Sequence, residues 1–533
     1  MTADGSASDA TAALATKTVK VASYIATGKI ASTIIQAAMF IVIARLLMPS
    51  GYGIYTLALS IAAFISSFGN VSIGTYFNQH IPYLLSRKRL REISIAMGDG
   101  IVAIALPGII LTAAGGLASG LISGYVLHSQ SYAGVVFLAI SGIVFYLMYN
   151  SFTLILVSFN DGKNNAISNI LYSMLQGVIS ISLVVLGFGI SGAILGYITA
   201  LVIASLFQII VTDRRFGISF IWRGMAHRMG EMLKFSMPLT YASIISTLVT
   251  NFSVILLGLV VLPSFVGQYG VASRVGTLVD FVAGTMTVVL IPMFAEAIHS
   301  KQLGPKVGRL FYYSIYFGLL FTAPMIAYIT VLSRDFIITV FSASYSTAII
   351  YMQLTAVGLL IGIFGSFATQ LLTSMKETRK IFKYTAIVSV VELASLLVLV
   401  PLFHFAAPQD QILPGIGVIL SMLYVGGIAT NLLFMRYLQG RGISIKFGKI
   451  ARVLAANVVL GVIVYAFGHL LAISPEIILV AGVALSLAIY PPIIAKLGAV
   501  TLDDVAVIKR IINGVPALGG ALGFLLDYTS LFL

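Results

Sequence analysis

The chain has no cysteine in its 533 residues. That excludes disulfides, thiolate chemistry and iron–sulfur ligation, and it leaves the redox compartment unmarked. Charge is nearly as scarce: charged residues are 9% of the chain, against about 25% in soluble proteins. Acids are scarcest of all, 17 Asp and Glu against 31 Lys and Arg, for a net charge of +14. No G-x-x-x-x-G-K-[ST] phosphate loop, metal-ligand cluster, catalytic triad or paired-carboxylate hydrolase spacing occurs. The histidines (His80, His128, His227, His299, His404, His469) are scattered, mostly at loops or helix ends.

What is abundant is apolar. Hydrophobic residues are 59% of the chain and the mean hydropathy is +1.05. Soluble domains of roughly 150 residues each would fit the length, but their surfaces need far more charge than this. The sequence therefore reads as an all-α polytopic membrane protein. Residues 1 to 16 are polar, carry Asp4 and Asp9 and no basic residue, unlike a secretory signal peptide.

A membrane-spanning helix needs about 20 mostly apolar residues. Such runs fall near 21–44, 53–79, 95–122, 132–158, 167–187, 190–212, 236–262, 270–297, 308–332, 348–373, 384–403, 414–435, 453–472 and 477–495, fourteen in all. The almost continuous run 167–212 divides at Gly187-Phe188-Gly189. Charge tests the count. The termini and one set of connections hold 27 Lys and Arg; the alternate set holds two, Arg45 and Arg334. The other two, Lys29 and Arg274, lie within spans. A miscounted span would reverse the alternation, and no reversal occurs. By the positive-inside rule both termini face the cytoplasm. The net basicity thus records orientation in a cell membrane and gives no reason to expect nucleic acid.

The hairpins at Pro49–Ala58 and Pro263–Ala272 repeat. Gly53, Tyr55 and Ala58 align with Gly267, Tyr269 and Ala272 at an offset of 214, and Ser86-Arg87 falls on Ser300-Lys301. The polar breaks at Asn160–Lys163 and Lys376–Arg379 correspond at nearly that spacing. Two copies of a six-helix unit are expected, with helices 13 and 14 added. The expected divisions are a cytoplasmic tail (1–20), a first bundle (21–212), a cytoplasmic linker (213–235), a second bundle (236–436), helices 13 and 14 (437–498) and a cytoplasmic or interfacial C-terminal segment (499–533). An even number of helices gives both copies the same orientation, as in transporters that rock around a central cleft. Thr501-Leu502-Asp503-Asp504 reads as a helix start, its acids favoured by the helix dipole. Residues 505–533, broken by Gly514, Pro516, Gly519, Gly520 and Gly523, suggest an interfacial or re-entrant helix.

The hairpin Ala44-Arg45-Leu46-Leu47-Met48-Pro49-Ser50-Gly51-Tyr52-Gly53-Ile54-Tyr55 resembles the helix 1–2 signature of the oligosaccharide flippases of polysaccharide biosynthesis. These are the Wzx-like members of the multidrug/oligosaccharidyl-lipid/polysaccharide exporter superfamily. The paired cytoplasmic breaks, the length and the helix count are similar too. The resemblance implies a secondary transporter, not an enzyme. Such a protein moves a polyprenyl-(di)phosphate-linked oligosaccharide to the outer leaflet by alternating access, without hydrolysing ATP. The implied cofactor is none beyond a coupling ion, H+ or Na+. The implied partners are membrane lipids and, around a monomeric transporter, a glycan polymerase or ligase.

Charges at membrane depth are functional candidates, because burying them costs several kcal/mol. Lys29 shares a face with Thr33 and Gln36, and Arg274 is followed by Thr277 and Asp280. The two cations are candidates for a phosphate, arginine through paired donors and lysine as a point charge. A cationic cavity for the lipid pyrophosphate is also what the resemblance implies. Against this, Lys29 can snorkel to the headgroups about 10 Å away, Arg274 can simply pair with Asp280, and Arg45 reads as an outer-interface anchor. Asp280, Asp99 and Glu392 are candidates for ion coupling; Glu296 reads as a solvated helix end. Tyr149 and Asn150, with Tyr146 and Thr153, either meet sugar rings or hold helices together; Asn70, Asn78 and Gln79 share that ambiguity.

Three alternatives compete. A drug/cation antiporter of the same superfamily needs an anionic site, yet no Asp or Glu lies between Asp9 and Glu92. A peptidoglycan-precursor (lipid II type) flippase shares the topology and a cationic cavity. A membrane glycosyltransferase needs acids in sizeable outward loops, and the outward loops here hold only Asp335, Asp410 and Glu476.

Overall fold

The computed structural model describes residues 3–69, 73–277, 279, 303–375, 377–441, 447–470, 474–512, 523 and 526–533. Regular structure among these residues is helical throughout. Ten helical stretches are long and apolar enough to cross a membrane. Two of the ten are too long for one crossing of a core about 30 Å thick. Ser23–Gly69 has 47 residues and Gly162–Phe216 has 55, about 70 and 80 Å of helix at 1.5 Å per residue.

Both break where the sequence places a hairpin. Met48 adopts φ 59 and ψ 168 directly before Pro49, a residue suited to the first turn of a new helix. Gly187 (φ 94) and Gly189 (φ 53) reverse the second stretch, a conformation glycine adopts without steric cost. Twelve of the fourteen expected crossings are accounted for in this way. The seventh lies in Met225–Val260. The eighth begins as a helix over 263–277, and its continuation lies outside the described residues.

The chain divides into two compact units, Met1–Pro263 and Ser264–Leu533. In the first, the hairpin closes tightly because Gly196 has no side chain: a Cβ there would lie within 2.5 Å of the Ser180 backbone. The seventh span packs inside this unit. Gly258 lies flush on Leu57, Phe252 meets Phe64 at 6.2 Å, and His128 Nε2 lies 3.0 Å from the Gly258 carbonyl. Large apolar side chains such as Leu117, Leu121 and Ile110 point outward, where a bilayer rather than water is their natural solvent.

In the second unit, tyrosines fasten the two added helices, Phe447–Leu470 and Pro475–Lys496. Tyr490 Oη donates to the Leu320 carbonyl at 3.0 Å and Tyr328 Oη to Leu479 at 2.6 Å. Tyr316, fully buried, donates to Ala499 at 2.6 Å. Helix Leu502–Ile512 starts at the expected place. Asp504 accepts from the Thr501 backbone at 2.9 Å and its hydroxyl at 2.7 Å, a capping arrangement, and pairs with Lys449 at 2.6 Å. Residues 513–522 lie outside the described residues.

The repeat carries through to side-chain contacts within each unit. Asp161, in the break after the fourth span, pairs with Arg215 at the end of the sixth at 2.8 Å. Glu377, in the break after the tenth, pairs with Arg441 beyond the twelfth at 2.7 Å.

Candidate functional site

Lys29 lies six residues into the apolar stretch Ser23–Gly69, in a helix that runs from Ala3. Two crossings fix its place: Val21 packs on Gly162 and Gly28 on Ala166, both beside the polar break at Asn160–Lys163. The Lys29 side chain is exposed and makes no ion pair among the described residues. Its carbonyl accepts Ser32 Oγ at 3.0 Å and Thr33 Oγ1 at 2.8 Å, the back-bonding habit of helical hydroxyls. Gln36, on the same face, donates to Ser173 Oγ at 3.0 Å and so ties the first span to the fifth.

Gln36 belongs to a polar seam inside the first unit. Ser173 Oγ donates to the Asn169 carbonyl at 2.9 Å, and Tyr149 Oη to Asn169 Oδ1 at 2.9 Å. Asn165 Nδ2 donates to the Thr153 carbonyl at 3.0 Å, and Gln208 Nε2 to Thr153 Oγ1 at 2.9 Å. Tyr149, Asn165 and Gln208 are buried; Asn150 is half-buried and donates to the carbonyl of Tyr146 at 2.9 Å. The residues missed in the sequence are Asn165, Asn169, Ser173 and Gln208. Their signal was available: Asn165, Asn169, Ser173, Gln176 and Ser180 recur at helical spacing on one face of Gly162–Leu183, a stripe unlike a lipid-facing one. A cavity bounded by Ser66, Tyr146 and Tyr197 measures about 20 Å³, room for a single water and far too small for a sugar.

The carboxylates of the first unit from Glu92 to Glu231 are engaged. Glu92 pairs with Arg89 at 3.2 Å, Glu231 lies 3.6 Å from His227, and Asp161 holds Arg215. Asp213 accepts the Ile218 backbone at 2.9 Å. Asp99, wholly buried, takes two bonds from Arg228: Nε to Oδ2 at 2.5 Å and Nη2 to Oδ1 at 2.9 Å. That fork geometry is the strong form of a charge-assisted contact. Hydrogen bonding to Asp99 raises the Arg228 guanidinium above its ordinary range, so the cation stays charged.

In the second unit Arg274 is exposed, with its carbonyl accepting Thr277 Oγ1 at 2.7 Å. It too makes no ion pair among the described residues. Asp280 and Glu296 lie outside the described residues. Glu392 is half-buried, its Oε1 against the bare backbone of Gly426, where a Cβ would sit 2.1 Å away. Gly426 follows the π-helical turn Leu420–Val425, a local widening often found at functional positions. Among the described residues Glu392 has no cationic partner, and no cluster of His, Asp and Glu could hold a metal ion.

The chain has known relatives in sequence and in fold. The family profile described as polysaccharide biosynthesis protein matches residues 18–298, more than half the chain. A structure described as lipid II flippase MurJ, inward closed conformation, aligns with TM-score 0.67 at 16% identity, covering 92% of this chain and 99% of its own. An inward-facing multidrug resistance MATE family transporter of the MOP superfamily aligns with TM-score 0.54 at 16% identity, covering 80% and 94%. No curated protein matches. At such identities the structural matches speak for the fold, which is the all-helical one expected. The chain belongs to the polysaccharide biosynthesis protein family, and its fold is similar to that of a lipid II flippase and of a MATE family transporter.

Proposed function

We propose that the protein moves a polyprenyl-(di)phosphate-linked oligosaccharide from the cytoplasmic to the outer leaflet of the cell membrane by alternating access. Lys29 and Arg274 serve as the cations for its phosphate. The observation that carries this reading is electrostatic. In the first unit every described carboxylate from Glu92 to Glu231 already has a partner, whereas Lys29, within the apolar stretch Ser23–Gly69, is exposed and has no ion pair among the described residues. Such a surface attracts an anion and offers a cationic drug nothing to bind, which counts against the antiporter alternative. Thr33 and Thr277, one turn from the cations, supply polar contacts beside them, and Asn150 is a further polar candidate. Transport is coupled to H+ or Na+, with Glu392 and Asp280 the candidate carriers. Asp99, gripped by Arg228, is the weaker one. Both termini face the cytoplasm, which the 27-to-2 distribution of cations supports.

A second reading is a peptidoglycan-precursor flippase, favoured by the likeness to a lipid II flippase over nearly its whole length. Both cargoes carry a lipid diphosphate, so the sugar distinguishes them. Purified protein in vesicles, given polyprenyl-diphosphate oligosaccharide in one arm and lipid II in the other, tests the choice. Faster appearance of the oligosaccharide on the far leaflet, lost in a Lys29→Ala Arg274→Ala double variant, is the expected result. Undiminished transport in that variant contradicts the phosphate assignment, and preference for lipid II contradicts the cargo.

A further inference from the structure

The segment between the sixth and seventh spans is fastened along its length. Phe216 stacks on Phe159 at 3.9 Å, and Gly217 turns the chain with φ 71. Ser219 N then donates to the Ser94 carbonyl at 3.0 Å, and the Ser94 and Ser219 hydroxyls meet at 2.7 Å. The Ser219 carbonyl lies so close to Gly98 that a Cβ there would be 2.2 Å from its oxygen. Further on, Arg228, already forked onto Asp99, donates to the carbonyls of Ile221 at 2.7 Å and Arg223 at 3.0 Å. The strap is held through its backbone and through the Phe216 and Ser219 side chains, while Phe220, Trp222 and Arg223 are left exposed.

Two of those side chains have no reason to face water. Phe220 is 48% exposed and Trp222, the only tryptophan of the chain, is 74% exposed. Their depth follows from what holds them. Ser94 and Asp99 lie in the first turns of Leu90–Leu117, directly after Arg87, Lys88, Arg89 and Arg91, the cations that mark the cytoplasmic surface. The strap therefore lies at the level of lipid headgroups, where tryptophan is enriched. Of the cations between residues 214 and 230, Arg215 pairs with Asp161 and Arg228 with Asp99; Arg214 and Arg223 have no ion pair among the described residues and are exposed, a sign complementary to an anionic leaflet.

We propose that residues 216–224 form an interfacial anchor that seats Phe220 and Trp222 among the headgroups of an anionic cytoplasmic leaflet, with Arg223 on their phosphates. The pinning by Asp99, Arg228 and Ser94 gives the anchor a fixed position against the third span. The anchor does not depend on what the transporter carries.

The single tryptophan makes the test direct. The full chain is reconstituted in nanodiscs of phosphatidylcholine alone or with phosphatidylglycerol added, and Trp222 emission is quenched either by aqueous acrylamide or by lipids brominated near the headgroup. Brominated lipid quenches Trp222 strongly. Acrylamide quenching falls on adding phosphatidylglycerol, by about fivefold if one cation sets the effect. Arg223→Gln, which keeps the backbone contacts of the strap, loses that dependence on anionic lipid. Strong acrylamide quenching with none from brominated lipid in either nanodisc overturns the proposal. So does protection from acrylamide that brominated lipid does not share, which assigns the surface to a protein partner or a second copy.

Discussion

Asp161 accepts a 2.8 Å bond from Arg215, fifty-four positions later in the chain, and Glu377 accepts one of 2.7 Å from Arg441 in the corresponding place of the second unit. Asp161 precedes the fifth span and Arg215 lies in the last turn of the sixth; Glu377 precedes the eleventh and Arg441 follows the twelfth. The two residues of the first pair do not contribute equally. Arg215 is half exposed, so Arg215→Ala costs less than about 1 kcal/mol. Asp161 also caps its helix through Asn164 N at 3.2 Å, so Asp161→Ala costs about 1–2 kcal/mol. Melting of the purified protein in detergent checks the order; equal losses contradict the capping role.

Gly196 gives a sharper test of packing. Any side chain there meets the Ser180 backbone rather than a flexible tip, so the hairpin must open. Gly196→Val is expected to destabilise by about 1–3 kcal/mol, the range for overpacked cores, and to lower yield. Gly120→Val, where nothing lies within 4 Å of the added carbon, is the matched control and leaves melting near the parent.

The polar seam and Lys29 separate in their effects. Tyr149→Phe removes the bond to Asn169 and costs about 0.6 kcal/mol, the mean for such bonds between membrane helices. Transport kinetics are otherwise preserved. Lys29→Gln does the reverse, leaving melting unchanged because the exposed side chain holds nothing, while transport falls. Parallel melting and vesicle assays on both variants check this, and a large melting loss in Lys29→Gln contradicts it.

Asp504→Ala removes both the Thr501 cap and the Lys449 pair. The helix Leu502–Ile512 is then expected to loosen and to be cleaved faster by added protease, with Lys509 and Arg510 as trypsin sites. Cleavage at the parent rate contradicts the docking role of Asp504.

Much of this architecture is legible in the sequence because membrane helices obey few rules. Twenty apolar residues mark a crossing, Pro49 and the Gly187–Gly189 pair mark reversals, and cation alternation fixes parity. The acids were harder to read. Asp99 and Glu392 look alike in sequence, each a lone carboxylate in an apolar helix. Yet one meets an arginine 129 positions away, and the other rests on Gly426. No local pattern announces a pairing at that separation. The same holds for Gln36, which reads as a cavity residue beside Lys29 and bonds Ser173, 137 positions away. Lys29 and Arg274 read as charges within apolar spans, but whether an acid neutralises them depends on where distant helices lie.

The central claim is that Lys29 acts through its charge on an anionic cargo. The most direct measurement is the initial rate of polyprenyl-diphosphate oligosaccharide translocation into vesicles by Lys29→Gln, set beside Lys29→Arg and the parent. Lys29→Gln is predicted to lose about tenfold or more, equivalent to about 1.4 kcal/mol, while Lys29→Arg keeps most of the rate. Equal rates for Lys29→Gln and the parent would contradict the account.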